Sequence, residues 1–134
     1  MGGWEKEIAA MTLFVGDLDR SKRFYQEVFG LPPVDADQDT VMFRFKNMFV
    51  FLHRRSAAAN ELPPGDVLDQ ALHGAGQFAI IVDDVDAVRP DLDKAGVDLL
   101  SGPDNRPWGM RTMTFADPDG HVWEIAQELP GSEG

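Results

Sequence analysis

The stretch Val15-Gly16-Asp17-Leu18-Asp19-Arg20-Ser21-Lys22-Arg23-Phe24-Tyr25 ends a strand and begins a helix. Upstream of it, residues 8–16 (IAAMTLFVG) form an apolar run of strand length. Asp17 follows at once, and its carboxylate can accept a hydrogen bond from a first-turn backbone N–H. Leu18, Ser21, Phe24, Tyr25, Val28 and Phe29 then fall on one helical face. Gly30 ends the helix, and Pro32 and Pro33 prevent its resumption.

Further along, residues 40–46 (TVMFRFK) and 48–53 (MFVFLH) are aromatic-rich strands with Lys46-Asn47 as the turn between them. Residues 54–76 are polar and rich in Ala, Pro and Gly, with a short helix expected around 66–73. The pattern then restarts. Residues 77–82 (QFAIIV) are a strand, and Asp84 caps a helix that presents Val85, Val88, Leu92 and Ala95 before Gly96 ends it. Pro90 is tolerated only if the helix starts late enough to put it in the first turn, and otherwise kinks it. Strands follow at 97–100, 110–116 and 121–127, the last two joined by Asp117-Pro118-Asp119-Gly120. A shift of 67 residues lays the first half on the second: Ala10 on Gln77, Leu13 on Ile80, Val15 on Val82, Asp17 on Asp84 and Asp19 on Asp86. Self-similarity of this size marks a duplicated supersecondary unit.

The chain has 134 residues, enough for one domain with its own core, and its 43% apolar and 26% charged content is that of a soluble globular protein. With no cysteine, disulfides, thiol nucleophiles and Cys-based zinc sites are excluded. The first seven residues lack the basic and apolar regions of a signal peptide, and no apolar run is long enough to span a bilayer. A cytoplasmic location is expected, with no membrane partner. The tail Pro130–Gly134 is expected to be disordered. A formal net charge of −11 repels phosphate backbones, so nucleic acid is not an expected partner, and it favours cationic small molecules.

Four segments together carry a resemblance to a family. They are V-x-D-L-x-x-S-x-x-F-Y at 15–25 with Gly30-Leu31, V-D-D-V-D at 82–86, Trp108-Gly109-Met110-Arg111, and F-x-D-P-D-G-x-x-x-E at 115–124. In this order and spacing the chain resembles the vicinal-oxygen-chelate (glyoxalase/bleomycin-resistance/dioxygenase) superfamily. The resemblance implies an α+β fold of two βαβββ modules whose curved mixed sheets form a cup with helices outside. One domain would span 1–134, with module one at about 7–55, a linker at about 56–75 and module two at about 76–128. It also implies a homodimer and a small-molecule ligand held in the cup.

In metal-dependent members, four cup-facing positions carry His, Glu, His and Glu. Carried over residue by residue, these are Ala10, Phe51, Gln77 and Glu124. Ala and Phe offer no donor atom, and Gln offers only a neutral carbonyl, so the set is too poor for Fe, Mn, Ni or Zn. No metal and no cofactor is therefore expected. A slip of the hairpin to His53 would keep the same face and leave the set poor. His73 and His121 read as surface residues. Glu124 by itself could serve as a general base.

Strand alternation assigns the cup lining. Thr12, Phe14, Gln77, Ala79, Met110, Thr112 and Glu124 face inward, with Phe49, Phe51 and His53 sharing a face and Phe43 and Phe45 sharing one. With Trp108, these residues give a lining rich in aromatics and poor in charge, which either stacks on a flat ligand or fills the cup as core. The expected function is metal-independent binding of an aromatic or planar ligand, similar to the bleomycin-resistance-like, antibiotic-binding members. The alternatives are a metal-dependent lyase, isomerase or extradiol dioxygenase, and an interaction module whose cup is filled.

Overall fold

The structure is a computed structural model and describes residues 6–59, 73 and 76–131. The chain divides into two units, Met1–His73 and Gly74–Gly134. Residues 66–72 of the expected linker helix, and 132–134 of the expected disordered tail, lie outside the described residues.

The first unit runs β1 (Ala10–Val15), α1 (Leu18–Phe29), β2 (Asp35–Ala36), β3 (Thr40–Arg44), β4 (Phe49–Arg54) and α2 (Arg55–Ala58). Its sheet has the order β1-β4-β3-β2. β1 lies parallel to β4, and the other pairs are antiparallel. Asp17 caps α1 by accepting the backbone N–H of Arg20 at 3.1 Å. Gly30 closes the helix at φ 65°, a left-handed conformation that a side chain would resist, and donates its N–H to the Gln26 carbonyl.

Alternation then sorts the sheet. Leu13, Val15, Val41, Phe43, Val50 and Leu52 are buried, as are Leu18, Tyr25 and Val28 of α1. The Tyr25 ring stacks on Phe29 at 5.7 Å and lies 6.1 Å from Phe43. Each such large apolar side chain contributes about 1.5–3 kcal/mol by leaving water.

The second unit repeats this plan: β5 (Gln77–Ile81), α3 (Val85–Lys94), β6 (Leu99–Asn105), β7 (Met110–Ala116) and β8 (Val122–Glu128), in the sheet order β5-β8-β7-β6. β5 is parallel to β8, and the β6–β7 and β7–β8 pairs are antiparallel. Asp84 caps α3, as the 67-residue shift from Asp17 requires. The core holds Val85, Leu92, Met113, Phe115, Trp123 and Ile125, with Phe78 at 5.3 Å from Trp123. Both units are therefore βαβββ modules, and the architecture is α+β with two four-stranded mixed sheets.

Four local expectations change. β2 was not legible, because two exposed polar residues carry no apolar period. The segment after β4, expected as linker, begins with the helical turn α2. β6 continues past Leu100 to Asn105 through Gly102 and Pro103, with register shifts on both sides of Ser101. The helix α3 starts at Val85, so Pro90 lies inside it rather than in its first turn. Among the described residues, no helix is long and apolar enough to cross a membrane.

Candidate functional site

Each unit has one sheet face covered by its helix and an opposite face free of it. In the first unit, Ala10, Thr12 and Phe14 of β1 and Phe49, Phe51 and His53 of β4 alternate with the buried core and share that opposite face. The register pairs Ala10 with Phe49, Thr12 with Phe51 and Phe14 with His53. The Phe14 and His53 rings lie 6.1 Å apart. Met42 flanks Phe51 from β3. Five of the expected ligand residues, Thr12, Phe14, Phe49, Phe51 and His53, are thus brought together on one aromatic surface.

Phe43 and Phe45 are not on that surface. Phe43 is wholly buried on the helix side beside Tyr25, and Phe45 meets Phe29 edge-to-face at 5.1 Å. The hairpin register explains the difference. Phe43 pairs with Val50 of the buried set, whereas Phe51 pairs with Met42, so the two phenylalanine pairs point to opposite sides. Phe43 is a core residue of the first unit, and Phe45 is half-buried against Phe29 of α1.

In the second unit, Gln77 and Ala79 of β5, Met110, Thr112 and Thr114 of β7, and Glu124 of β8 share the face away from α3. Ala79 pairs with Glu124, and Glu124 with Thr114. Thr12 and Ala79 are 67 residues apart, and their partners are Phe51 and Glu124. Phe51 is thus the positional counterpart of Glu124, an aromatic ring standing where the other unit has a carboxylate. Trp108 stands at the β6–β7 connection and is 66% exposed.

The helix side of this sheet carries a charge pair. Arg111 donates from Nε and Nη2 to the two carboxylate oxygens of Asp86 at 2.8 and 3.0 Å, and from Nη1 to Asn105 at 3.0 Å. These hydrogen bonds hold the Asp86 carboxyl below its ordinary value and raise the guanidinium. The pair ties β7 to the first turn of α3, so Arg111 of the Trp-Gly-Met-Arg segment supports the fold. His121 was expected at the surface and is instead buried. Its backbone N–H donates to Asp117, which also accepts from Asp119. The turn closes on its own carboxylate and carries the next residue inward.

A surface depression of about 380 Å³ lies at the start of α1, lined by Gly16, Asp17, Leu18, Asp19, Arg54 and Ser56. Its chief polar groups are already engaged, Asp17 on Arg20 and Arg54 on the Gln38 carbonyl at 2.5 Å.

Sequence reasoning missed two contacts on the second unit's helix-free face. Arg106 donates from Nε to the Thr112 hydroxyl at 3.0 Å, and the Ser101 and Thr114 hydroxyls are 2.6 Å apart. Arg106 stands outside any strand, so periodicity is silent about it. Ser101 lies beyond a register shift that alternation does not foresee.

The comparisons with known proteins agree with this architecture. Residues 7–125 match the model of the Glyoxalase/Bleomycin resistance protein/Dioxygenase superfamily. The chain is similar to a lactoylglutathione lyase of Haemophilus influenzae, 31% identical over 134 residues, covering 96% of this chain and 97% of that protein. It is also similar to the metallothiol transferase FosB of Lysinibacillus sphaericus, 28% identical over 120 residues, covering 90% and 81%. A crystal structure of a glyoxalase-related enzyme from Fulvimarina pelagi aligns with TM-score 0.78 at 28% identity, covering 92% of this chain and 89% of that one.

The metal that the fold family implies does not fit the residues present. Of Ala10, Phe51, Gln77 and Glu124, the first two have no lone pair to give, and one amide with one carboxylate cannot complete a transition-metal shell. Among the described residues, no group of three or more His, Cys, Asp or Glu side chains converges on a point.

Proposed function

The chain belongs to the Glyoxalase/Bleomycin resistance protein/Dioxygenase superfamily, and from that premise we propose that it is a metal-independent small-molecule-binding protein that takes an aromatic or planar ligand. The observation that carries this reading is the replacement of donor atoms by hydrocarbon. The register sets Phe51 where the second unit has Glu124, within a surface shared by Phe14, Phe49 and His53. Aromatic faces bind flat ligands by stacking and by removal of apolar area from water. The formal charge of −11 adds attraction for a cationic ligand. Sequestration of an antibiotic, a homodimeric state and a cytoplasmic location belong to the same proposal.

A second reading is a metal-dependent enzyme, a lyase, isomerase or extradiol dioxygenase. It is favoured by the names of the relatives, a lactoylglutathione lyase and a metallothiol transferase. Glu124 would be the one family carboxylate left to it.

Elemental analysis of purified, untagged protein, with native mass spectrometry of the same sample, separates the two. The binding reading expects no stoichiometric transition metal, a dimer mass, and a thermal midpoint that rises with at least one member of an aromatic ligand panel and with no divalent metal. About one transition metal per chain, or turnover on adding Fe, Mn, Ni or Zn, would overturn it in favour of the enzyme.

A further inference from the structure

The helix-free face of the second unit holds a cation and a carboxylate that do not neutralise each other. Arg106 is half-buried, and its Nε is seated on Thr112, itself only 2% exposed. Glu124 is half-buried on the same face, opposite Thr114. Among the described residues, neither Arg106 nor Glu124 makes an ion pair within 4.0 Å. Asp104, the acid paired with Thr112 across β6 and β7, is exposed, and among the described residues it makes no ion pair with Arg106 either. Seating through Nε fixes the plane of the guanidinium and leaves the two terminal amino groups, the fork that reads a carboxylate.

The strand sets the spacing of the two hydroxyls beside which the charges stand. Thr112 and Thr114 are two residues apart on β7, so their side chains share the face roughly 7 Å apart. Arg106 is anchored over the first, and Glu124 flanks the second with the Ser101–Thr114 hydroxyl pair on its other side. The row therefore offers donors at one end and an acceptor at the other.

We propose that this row is a two-ended polar subsite for a small zwitterion, Arg106 taking the ligand's carboxylate and Glu124 its ammonium group, with Thr112 as the positioning residue for Arg106. The assignment rests on the binding reading above and, on the second unit's own face, narrows the ligand to a small zwitterion with its two charges at opposite ends. It also gives Glu124 a use that needs no metal.

The test is a titration of 15N-labelled protein followed by NMR, with three probes: 4-(aminomethyl)benzoate, 4-methylbenzoate and 4-methylbenzylamine. The zwitterion is expected to bind more tightly than either singly charged probe. Arg106→Gln should weaken both carboxylate-bearing probes by about tenfold or more, as loss of a charge-assisted pair does, and leave 4-methylbenzylamine unmoved. Glu124→Gln should do the reverse, weakening the two amines and sparing 4-methylbenzoate. Thr112→Val keeps the guanidinium but removes its seat, and should weaken the carboxylate probes by a smaller factor. It carries the test if Arg106→Gln does not fold, which the same spectra reveal. Carboxylate probes that bind Arg106→Gln, or Thr112→Val where that variant stands in, as tightly as the parent overturn the subsite while leaving aromatic binding in place. If none of the three probes nor the aromatic panel binds, both the subsite and the binding reading fall.

Discussion

Gly102 sits at φ 79° in the irregular part of β6, and a Cβ built there would lie 2.8 Å from the Met113 Cα and closer still to the Thr112 carbonyl oxygen. The neighbour is backbone, which cannot swing away. Gly102→Ala therefore combines left-handed strain with a clash against the strand that carries Thr112, and should cost at least about 2 kcal/mol. Urea unfolding of parent and variant checks this, and an unchanged midpoint would show that β6 relaxes freely. The residue scale also divides what composition lumps together. Phe43 and Phe51 are identical side chains eight positions apart, yet one is buried beside Tyr25 and the other lies on the helix-free face.

At the scale of the element, each module is a helix pinned to a sheet, and the second has an added clamp. Arg111 on β7 grips Asp86 in the first turn of α3. The folded-state value of Asp86 is depressed from its ordinary 3.8, so its contribution to stability is fully present above that value and is lost as pH falls through the lower one. Asp86→Asn should thus be less stable than the parent at pH 7, by a modest amount since the carboxylate is exposed, and the two should converge in strong acid. Urea midpoints at pH 7 and at pH 2 read the difference, and a gap that persists at pH 2 would mean the pair acts through shape rather than charge. The same scale explains which elements were legible. The helices α1 and α3 have Asp caps and apolar periods and the long strands have apolar periods, whereas β2 and the second half of β6 have neither and exist because a neighbouring strand holds them.

Across the whole molecule, 23 acidic side chains face 12 basic ones, leaving a charge of −11 on 134 residues. Such self-repulsion weakens the compact state and is screened by salt, since the Debye length falls from roughly 30 Å at 10 mM to about 8 Å at 150 mM. Calorimetry across that range should show the thermal midpoint rising by a few degrees, and a falling midpoint would mean that attractive pairs such as Arg111–Asp86 outweigh the repulsion. The duplication, both Asp-capped helices, the α+β class and the hydrocarbon at positions 10 and 51 were all fixed by the order of residues alone, because periodicity, capping and donor chemistry are local properties. Tertiary structure decided the rest. It sent Phe43 and Phe45 to the helix side through hairpin register, buried His121 behind a carboxylate-closed turn, and folded Arg106 back onto Thr112. A long side chain outside the strands can reach any of several partners, and only the packed sheet determines which hydroxyl lies within 3.0 Å of it.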